Sequence, residues 1–349
     1  MSSDATEQAL KPQIRIDPLS GLRVALAPGR AKRPQAWLPT SADGDVPEGP
    51  VPGCPFCGGH EHLTPPETWA MRPSGGPPDS GGWSVRSVPN KYPVLVGGDE
   101  GSDADDEDPL EHGRGEPALL TSLTARGSHE VIVHTPQHLL SMGDLGHEQF
   151  LLALAGWRER LGAHRDASWV HLMVNEGTSA GASLEHTHAQ LYALSFVPAL
   201  AARERERFTA HNTRTAGSCL LCDLLQEEVR LRDRVVAVDE HAVLLAPYAS
   251  RTPYELQLVP RRHALSFAEA EPSAALLLHE GLKRLRRVLG APPPLNMWLR
   301  TAPRGAEHYH WRIDVVPRLT QLAGLELGAG ISVNVYPPEQ AAAELREAR

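Results

Sequence analysis

The segment GASLEHTHAQ, residues 181–190, combines residue types that bind phosphate with a residue type that attacks it. His186 and His188 stand two positions apart, and Gln190 follows at the same interval. Alternate side chains of a strand share one face, so we expect a strand that points all three the same way. From the residues alone the histidine pair has two interpretations: two metal ligands, or one ligand beside a free imidazole nucleophile.

A phosphate-binding loop is predicted directly before this pair. The stretch VNEGTSAGAS, residues 174–183, has the pattern of a strand end followed by a glycine-rich loop. Glycines let backbone amides approach a phosphate closely, and Ser183 adds a hydroxyl donor. If His186 binds a metal, His188 is free to attack phosphorus, and the amide of Gln190 can stabilise the charge that develops on a phosphate oxygen.

The four cysteines of the chain form two CxxC pairs, a spacing typical of metal sites. Each pair is followed by two histidines at matched offsets: 48 residues separate His138 from His186, and 47 separate His263 from His310. Thiolate and imidazole in a tetrahedral set suit zinc, whereas a thioredoxin-like redox site would need only one pair. The predicted zinc ligands are Cys54, Cys57, His138 and His186 in one set, and Cys219, Cys222, His263 and His310 in the other.

The spacing further indicates a duplicated chain. HEVIVHTPQH and YELQLVPRRH each alternate like a strand and each end in a histidine. A helical stretch follows in both halves, at residues 146–162 and 272–290, and then a strand, WVHLMVN or PLNMWLR. We therefore predict two related half-domains, each with one metal site.

The two halves differ at the reactive position. Arg312 stands two residues after His310, in the place that His188 has after His186, so the second half has a ligand but no nucleophile. Other histidines compete with some of the assigned ligands. His308 is an alternative to His310 in the second site, and His129 and His134 are weaker alternatives to His138 in the first.

Composition limits the function classes. The chain has 349 residues, 41% hydrophobic and 22% charged, with no apolar run as long as a membrane span, which predicts a globular protein away from membranes. Its net charge of -9 is concentrated in the acidic segment 97–116, predicted as a solvated loop, so nothing indicates a nucleic-acid partner. The first 14 residues are predicted to be disordered and lack a leader pattern, which favours the cytoplasm.

From about residue 15 to 339, these segments resemble the galactose-1-phosphate uridylyltransferase family, a branch of the histidine triad superfamily. DPLSGLRVALAPGRAKRP is similar to the family's phosphate-contacting N-terminal motif, VRSVPNKYP to its ribose-holding segment, and HTHAQ to HPHxQ, whose second histidine is nucleotidylated. The resemblance implies an α+β fold of two fused histidine-triad-like halves, each a mostly antiparallel sheet with flanking helices. Residues 15–200 would form the catalytic half and 215–349 the half without a nucleophile.

The resemblance also implies roles for individual residues. The catalytic pair is His188 and Gln190, and the implied substrate contacts are Arg30 and Arg33 to phosphates, Asn90 to the ribose, Asn175, Gly181 and Ser183 to the α-phosphate, and Glu326 to the hexose. The segment around Glu326 lacks the lysine and phenylalanine that precede the acid in the family, and the sequence IDVV does not support the iron site of some members.

The function implied is UMP transfer between a UDP-hexose and a hexose 1-phosphate, as in galactose metabolism, through a nucleotidyl-histidine in a zinc-containing homodimer. Thr187 and Ala189 depart from the galactose-type pattern, while related ADP-glucose phosphorylases carry HSHSQ. An adenylyltransferase acting on ADP-glucose or a dinucleoside polyphosphate is therefore the alternative. A zinc-stabilised nucleotide-binding protein without catalysis is a more remote one.

Overall fold

A computed structural model of the protein describes residues 12–28, 49–95, 97 and 125–349. Arg30, Arg33 and the acidic segment from residue 98 onward lie outside these ranges. The strands within them are β1 (Gln13–Ile16), β2 (Arg23–Leu26), β3 (Trp69–Met71), β4 (Val85–Pro89), β5 (Gly127–Val133), β6 (Trp169–Glu176), β7 (His188–Leu194), β8 (Val235–Val238), β9 (Ala242–Leu245), β10 (Leu256–Pro260), β11 (Leu295–Arg300), β12 (Arg312–Pro317) and β13 (Ser332–Asn334). The α-helices are α1 (His147–Ala163), α2 (Ala199–Arg214), α3 (Leu220–Leu231), α4 (Leu277–Leu289), α5 (Gly324–Ala329) and α6 (Pro338–Glu347).

Ten strands form one continuous sheet, in the order β3-β4-β5-β7-β6-β11-β12-β10-β9-β8. Neighbouring strands pair antiparallel throughout, and β6 pairs with β11 in the middle. Read from the two edges, the orders 3-4-5-7-6 and 8-9-10-12-11 are the same arrangement of strands. The α+β class with a mostly antiparallel sheet is confirmed, and the two halves share one sheet.

The two faces of the sheet have different chemistry because side chains alternate along each strand. On β7, Ala189 and Leu191 are completely buried in the main hydrophobic core, beneath the flanking helices. His188, Gln190 and Tyr192 occupy the intervening positions and lie on the opposite face. This polar face carries the candidate site.

The helices that cover the apolar face follow the predicted stretches closely. Helix α1 buries Phe150, Leu154 and Trp157 against the core. The second stretch begins as a short 3-10 helix, Pro272–Ala275, and continues as α4, which is followed by Gly290 in the left-handed region with a φ of 80°. Within the described residues, no helix is long and apolar enough to cross a membrane.

The N-terminal segment 12–28 lies against the second half of the chain. Strands β1 and β2 form a three-stranded sheet with β13, and β13 runs parallel to β2. Arg15 forms an ion pair with Glu339 at 2.9 Å, and its guanidinium lies 4.5 Å from the ring centroid of Tyr248. Residues 15–28, which we assigned to the first half, therefore pack against the second.

Candidate functional site

The first predicted ligand set comes together in space. The Sγ of Cys54 lies 3.5 Å from Nδ1 of His186, and the Sγ of Cys57 lies 3.4 Å from Nδ1 of His138. All four ligand atoms are within 4.8 Å of one another. A tetrahedron with metal–sulfur bonds of about 2.3 Å and metal–nitrogen bonds of about 2.05 Å has S···N edges of about 3.5 Å. The four residues therefore have the donors and the spacing to hold one metal ion.

A backbone contact orients the ligand nitrogen of His186. Its Nε2 lies 2.9 Å from the carbonyl oxygen of Thr135, and because a carbonyl only accepts, Nε2 carries the proton. The unprotonated Nδ1 then faces the two cysteines. Metal-binding histidines are held in this way by an outer hydrogen bond, so the ring is ready to bind before any ion arrives.

The second predicted set also comes together. Cys219 and Cys222 flank the start of α3, and their Sγ atoms lie 3.8 and 3.5 Å from Nδ1 of His310, while Cys222 is 3.7 Å from Nδ1 of His263. It is His310 and not His308 that joins this cluster. The second cluster is more open to solvent than the first, since both cysteines are only half-buried and His263 is exposed.

His188 is the first residue of β7 and is buried, with 6% of its surface exposed. Its Nδ1 lies 2.6 Å from the carbonyl oxygen of His186, to which it donates its proton. Nε2 is left with a free lone pair. Burial lowers the pKa of His188, against a smaller opposing effect of that hydrogen bond, so the ring is neutral at pH 7.

One expectation about this segment was wrong, because His186 does not lie on the strand. β7 begins at His188, which pairs with Val133 of β5, whereas the amide of Thr187 bonds to the carbonyl of Leu139 at 2.7 Å. The chain before His188 leaves the strand ladder for this contact. The rings of His186 and His188 share a neighbour, because each contacts the ring of Phe56, at centroid distances of 6.0 and 5.1 Å.

Gln190 is held by neighbours on the polar face. Its Oε1 accepts a hydrogen bond from the Tyr192 hydroxyl at 2.9 Å and lies 3.1 Å from Nε2 of His129. The ring of His129 stacks on that of Tyr192 at 4.1 Å. Asn90 joins the group, with Nδ2 at 3.1 Å from the same nitrogen of His129. With its oxygen held, the amide group of Gln190 is oriented as a donor.

The predicted phosphate loop follows β6 and contains a short 3-10 helix, Thr178–Ala180. Gly181 adopts a φ of 86°, a left-handed conformation that glycine tolerates best. Asn296 of β11 donates to Oδ1 of Asn175 and to the carbonyl of Ala180, both at 2.8 Å, which fastens the loop to the second half. Ser183 is exposed, so its hydroxyl is open to a ligand.

Known proteins resemble this chain in sequence and in fold. The model of the N-terminal domain of galactose-1-phosphate uridyl transferase matches residues 83–198. An ADP-glucose phosphorylase of Arabidopsis thaliana is 29% identical over 96% of this chain and 93% of its own. A galactose-1-phosphate uridylyltransferase of Cryptococcus neoformans is 28% identical over 99% and 93%. A crystal structure of an Arabidopsis ADP-glucose phosphorylase with bound ADP-glucose has a TM-score of 0.76, with 26% identity over 97% of this chain and 99% of that one.

The chain is therefore similar to galactose-1-phosphate uridylyltransferases and to an ADP-glucose phosphorylase over nearly its whole length. It is thus an enzyme of the nucleotidyltransferase type, as the sequence predicted. A uridylyltransferase crystal structure with 27% identity has a TM-score of 0.68 and covers 97% of this chain. The family's fold therefore extends over almost the whole chain, well beyond the matched segment.

In this chain the second half has an ionic cluster where the first has His188. Arg312, the first residue of β12, contacts Glu204 at 3.0 Å and Asp314 at 3.1 Å. Arg300 lies 3.3 Å from Asp314. All four residues are buried, and their charges balance. Each charged group in this cluster has an oppositely charged partner within it, and no imidazole is present. This agrees with the predicted loss of a nucleophile.

Two predicted substrate contacts lie outside the described residues, and a third makes a contact within its own helix. Arg30 and Arg33 lie outside the described residues. Glu326 sits in the short helix α5, where its Oε2 accepts from the amide of Ala323 at 2.9 Å and so caps its own helix.

Sequence reasoning missed three residues that surround the reactive pair, namely Phe56, His129 and Tyr192. Tyr192 could have been found by extending the alternation of His188 and Gln190 by one more step. His129 could not have been found in this way, because the sequence of neither strand determines the register between β5 and β7.

Proposed function

We propose that this protein transfers a nucleotidyl group through a covalent bond to Nε2 of His188. The observation that carries the proposal is the hydrogen bond from Nδ1 of His188 to the carbonyl of His186 at 2.6 Å. It fixes the tautomer whose Nε2 lone pair is free, in a segment that follows a glycine-containing loop of the phosphate-binding type. A neutral imidazole is a competent nucleophile for phosphorus.

The reaction has two displacements. In the first, Nε2 of His188 attacks the α-phosphorus of a nucleoside diphosphate sugar, a P–N bond forms, and the P–O bond to the β-phosphate breaks, releasing a sugar 1-phosphate. In the second, a phosphate oxygen of the acceptor attacks the same phosphorus, and the P–N bond breaks. The proton on Nδ1 stays on the ring in both steps, and the carbonyl of His186 stabilises the positive charge of the nucleotidylated ring.

The surrounding residues have supporting roles in this proposal. The amide of Gln190 donates to a non-bridging α-phosphate oxygen as its charge increases, because its own oxygen already accepts a hydrogen bond from the Tyr192 hydroxyl. The remaining roles are carried over from the family resemblance: Arg30 and Arg33 to the phosphates, Asn90 to the ribose, Asn175, Gly181 and Ser183 to the α-phosphate, and Glu326 to the hexose.

We assign zinc to both Cys/His clusters. Two thiolates and two imidazoles at these separations fit a four-coordinate zinc ion, and such closed sites are structural. Bound zinc would supply rigidity: it would tie His186, and with it the carbonyl that orients His188, to Cys54 and Cys57. Metal analysis of purified protein should give two zinc ions per chain, and a content below one would contradict the assignment.

The substrate we propose first is a UDP-hexose, with a hexose 1-phosphate as acceptor, as in the uridylyltransferases of the family. The second candidate is ADP-glucose, with inorganic phosphate as acceptor. A specific observation favours including it, since the Arabidopsis ADP-glucose phosphorylase is similar to this chain over 96% of its length at 29% identity.

A labelling experiment tests the mechanism and separates the two candidates. The protein is incubated with UDP-glucose or ADP-glucose carrying a radioactive α-phosphate, and protein-bound label is counted after acid and after alkali. We expect label that is lost in acid and retained in alkali, as a phosphoramidate requires, and its release by either hexose 1-phosphate or inorganic phosphate identifies the acceptor.

The matched control for this experiment is a histidine at the surface. His188→Ala should take up no label, whereas His241→Ala, whose side chain is 44% exposed, should label like the wild type. Label on His188→Ala, or no label on the wild type with either nucleotide sugar, would refute the mechanism. A homodimer and a cytoplasmic location remain predictions, and light scattering of the purified protein measures the first.

A further inference from the structure

The residue between the two histidines, Thr187, is held by a buried chain of hydrogen bonds. Nδ1 of His134 lies 2.9 Å from Oγ1 of Thr187, and the indole nitrogen of Trp157 lies 3.0 Å from Nε2 of the same ring. Thr187, His134 and Trp157 are 2%, 0% and 1% exposed. The three residues form a connected polar chain inside an apolar core, where each polar atom is costly unless it has a partner.

The direction of each hydrogen bond in this chain is fixed by chemistry. An indole N–H only donates, so Nε2 of His134 accepts from Trp157. The proton of His134 is then on Nδ1, which donates it to the hydroxyl oxygen of Thr187. Helix α1, which carries Trp157, thereby determines the tautomer of His134 and the rotamer of Thr187.

The backbone of Thr187 is held by the same segment of chain. Its amide donates to the carbonyl of Leu139 at 2.7 Å, and its carbonyl accepts from the amide of His134 at 3.3 Å. The carbonyl of His134 in turn accepts from the side chain of Gln149 on α1 at 2.7 Å. Side chain, N–H and C=O of Thr187 are therefore all fixed.

This fixation reaches His188 through one peptide unit. The amide of Thr187 and the carbonyl of His186 belong to the same planar peptide group, so holding one sets the direction of the other. That carbonyl accepts the Nδ1 proton of His188. A rotation of the peptide would turn the imidazole and move Nε2 away from its line of attack.

We propose that His134 and Trp157 are positioning residues for the nucleophile and that they act through the hydroxyl of Thr187. The inference rests on the proposed function, since it assumes that His188 reacts. Where the galactose-type pattern has a proline between the histidines, whose ring limits φ, this chain has a threonine, and the buried chain supplies the rigidity that the ring would give.

The test compares two single substitutions of Thr187. Thr187→Val keeps the shape but removes the hydroxyl, whereas Thr187→Ser keeps the hydroxyl but removes the methyl group. The rate of label transfer to the protein is measured in a single turnover, together with the dissociation constant of the nucleotide sugar and the metal content. A misplacement of the reacting atom costs up to about a hundredfold in rate.

We expect Thr187→Val to form the adduct at least about tenfold more slowly, with nucleotide affinity and metal content unchanged, and Thr187→Ser to stay within about threefold of wild type. If the residue only fills space, the order is reversed, because the valine fits and the serine leaves a gap. A wild-type rate for Thr187→Val would overturn the inference.

A double variant separates positioning from stability. In His134→Phe, the hydroxyl of Thr187 and the indole N–H of Trp157 both lose their buried partner, whereas adding Thr187→Val removes that hydroxyl and leaves only the indole N–H unpaired, which restores part of the stability. We expect its melting temperature to exceed that of His134→Phe while its adduct formation stays slow. Recovery of the rate together with the stability would refute a positioning role. Failure of the wild type to form any adduct would instead refute the proposed function.

Discussion

Glu130 lies on the apolar side of β5 and is 4% exposed. It accepts two hydrogen bonds from Arg160 at 2.8 Å, one from Ser87 at 2.8 Å and one from His164 at 3.0 Å. Burial by itself would raise the pKa of this carboxyl, but the contacts from His164 and Arg160 outweigh it and lower the pKa of Glu130 from 4.5 to about 2. The carboxylate is therefore much better stabilised in the folded than in the unfolded chain.

The substitution Glu130→Gln tests whether this carboxylate stabilises the folded protein. A pKa lowered by about 2.5 units corresponds to about 3 kcal/mol of folding free energy at pH 7. Loss of the charge also leaves Arg160 buried without its ionic partner, so we expect a loss of about 3 to 5 kcal/mol in the free energy of unfolding. Because the folded pKa is the lower one, this contribution is complete above about pH 6 and falls as the pH drops through 4.5 toward 2.

The assay is urea unfolding of wild type and variant at several pH values between 7 and 3.5, with matched metal content. The difference between them should shrink by about 1.4 kcal/mol over this range, since the wild type alone loses its charged contact. Glu227→Gln is the control, because both partners of the Glu227–Arg230 ion pair are exposed to solvent, which screens the interaction, so the substitution should change stability little at any pH. A difference in unfolding free energy between wild type and Glu130→Gln that stays constant with pH would refute the electrostatic explanation.

The remaining predictions concern the metal clusters and the packing of α1. Cys222→Ser should lower the metal content and melting temperature but keep adduct formation within about twofold. Cys57→Ser should slow adduct formation at least about tenfold, since only the first cluster includes His186, whose carbonyl orients the nucleophile. Equal rates of the two variants in single-turnover labelling would contradict this. Gly156→Val should lower the free energy of unfolding by about 1 to 3 kcal/mol, because a Cβ at that position would lie 2.7 Å from Cγ1 of Val85. Gly162→Ala, whose Cβ would meet nothing within 4 Å, should be neutral or stabilising by up to about 1 kcal/mol in the same urea titration.

Patterns that repeat within the chain made most of the fold predictable. The matched series of strand, histidine, helix and strand gave the elements of both halves, and the alternation along HAQLYAL placed His188 and Gln190 on one face. The metal-ligand clusters were predictable for a related reason. Each CxxC pair indicates two ligands, and the nearly equal spacing of the histidines in the two halves indicates the other two.

Contacts between distant segments were not predictable in the same way. The register that sets His129 opposite Tyr192 depends on how β5 and β7 slide past each other, and neither strand specifies this alone. The break in the ladder at Thr187 depends on Leu139 and on a histidine anchored by α1. Such features arise because segments that are distant in sequence compete for the same hydrogen-bonding groups. A local sequence pattern does not reveal the outcome of that competition.

The pairing of β6 with β11 has a consequence for how the chain can be divided. Residues from Leu172 to Glu176 pair with Leu295 to Leu299, so the innermost strand of each half completes the ladder of the other. A cut in the connection near residue 216 would give two fragments, each ending in a bare strand edge with unsatisfied amides and carbonyls. Such fragments should rebuild the sheet when mixed and aggregate when kept apart, as expected of a single cooperative unit assembled from two copies.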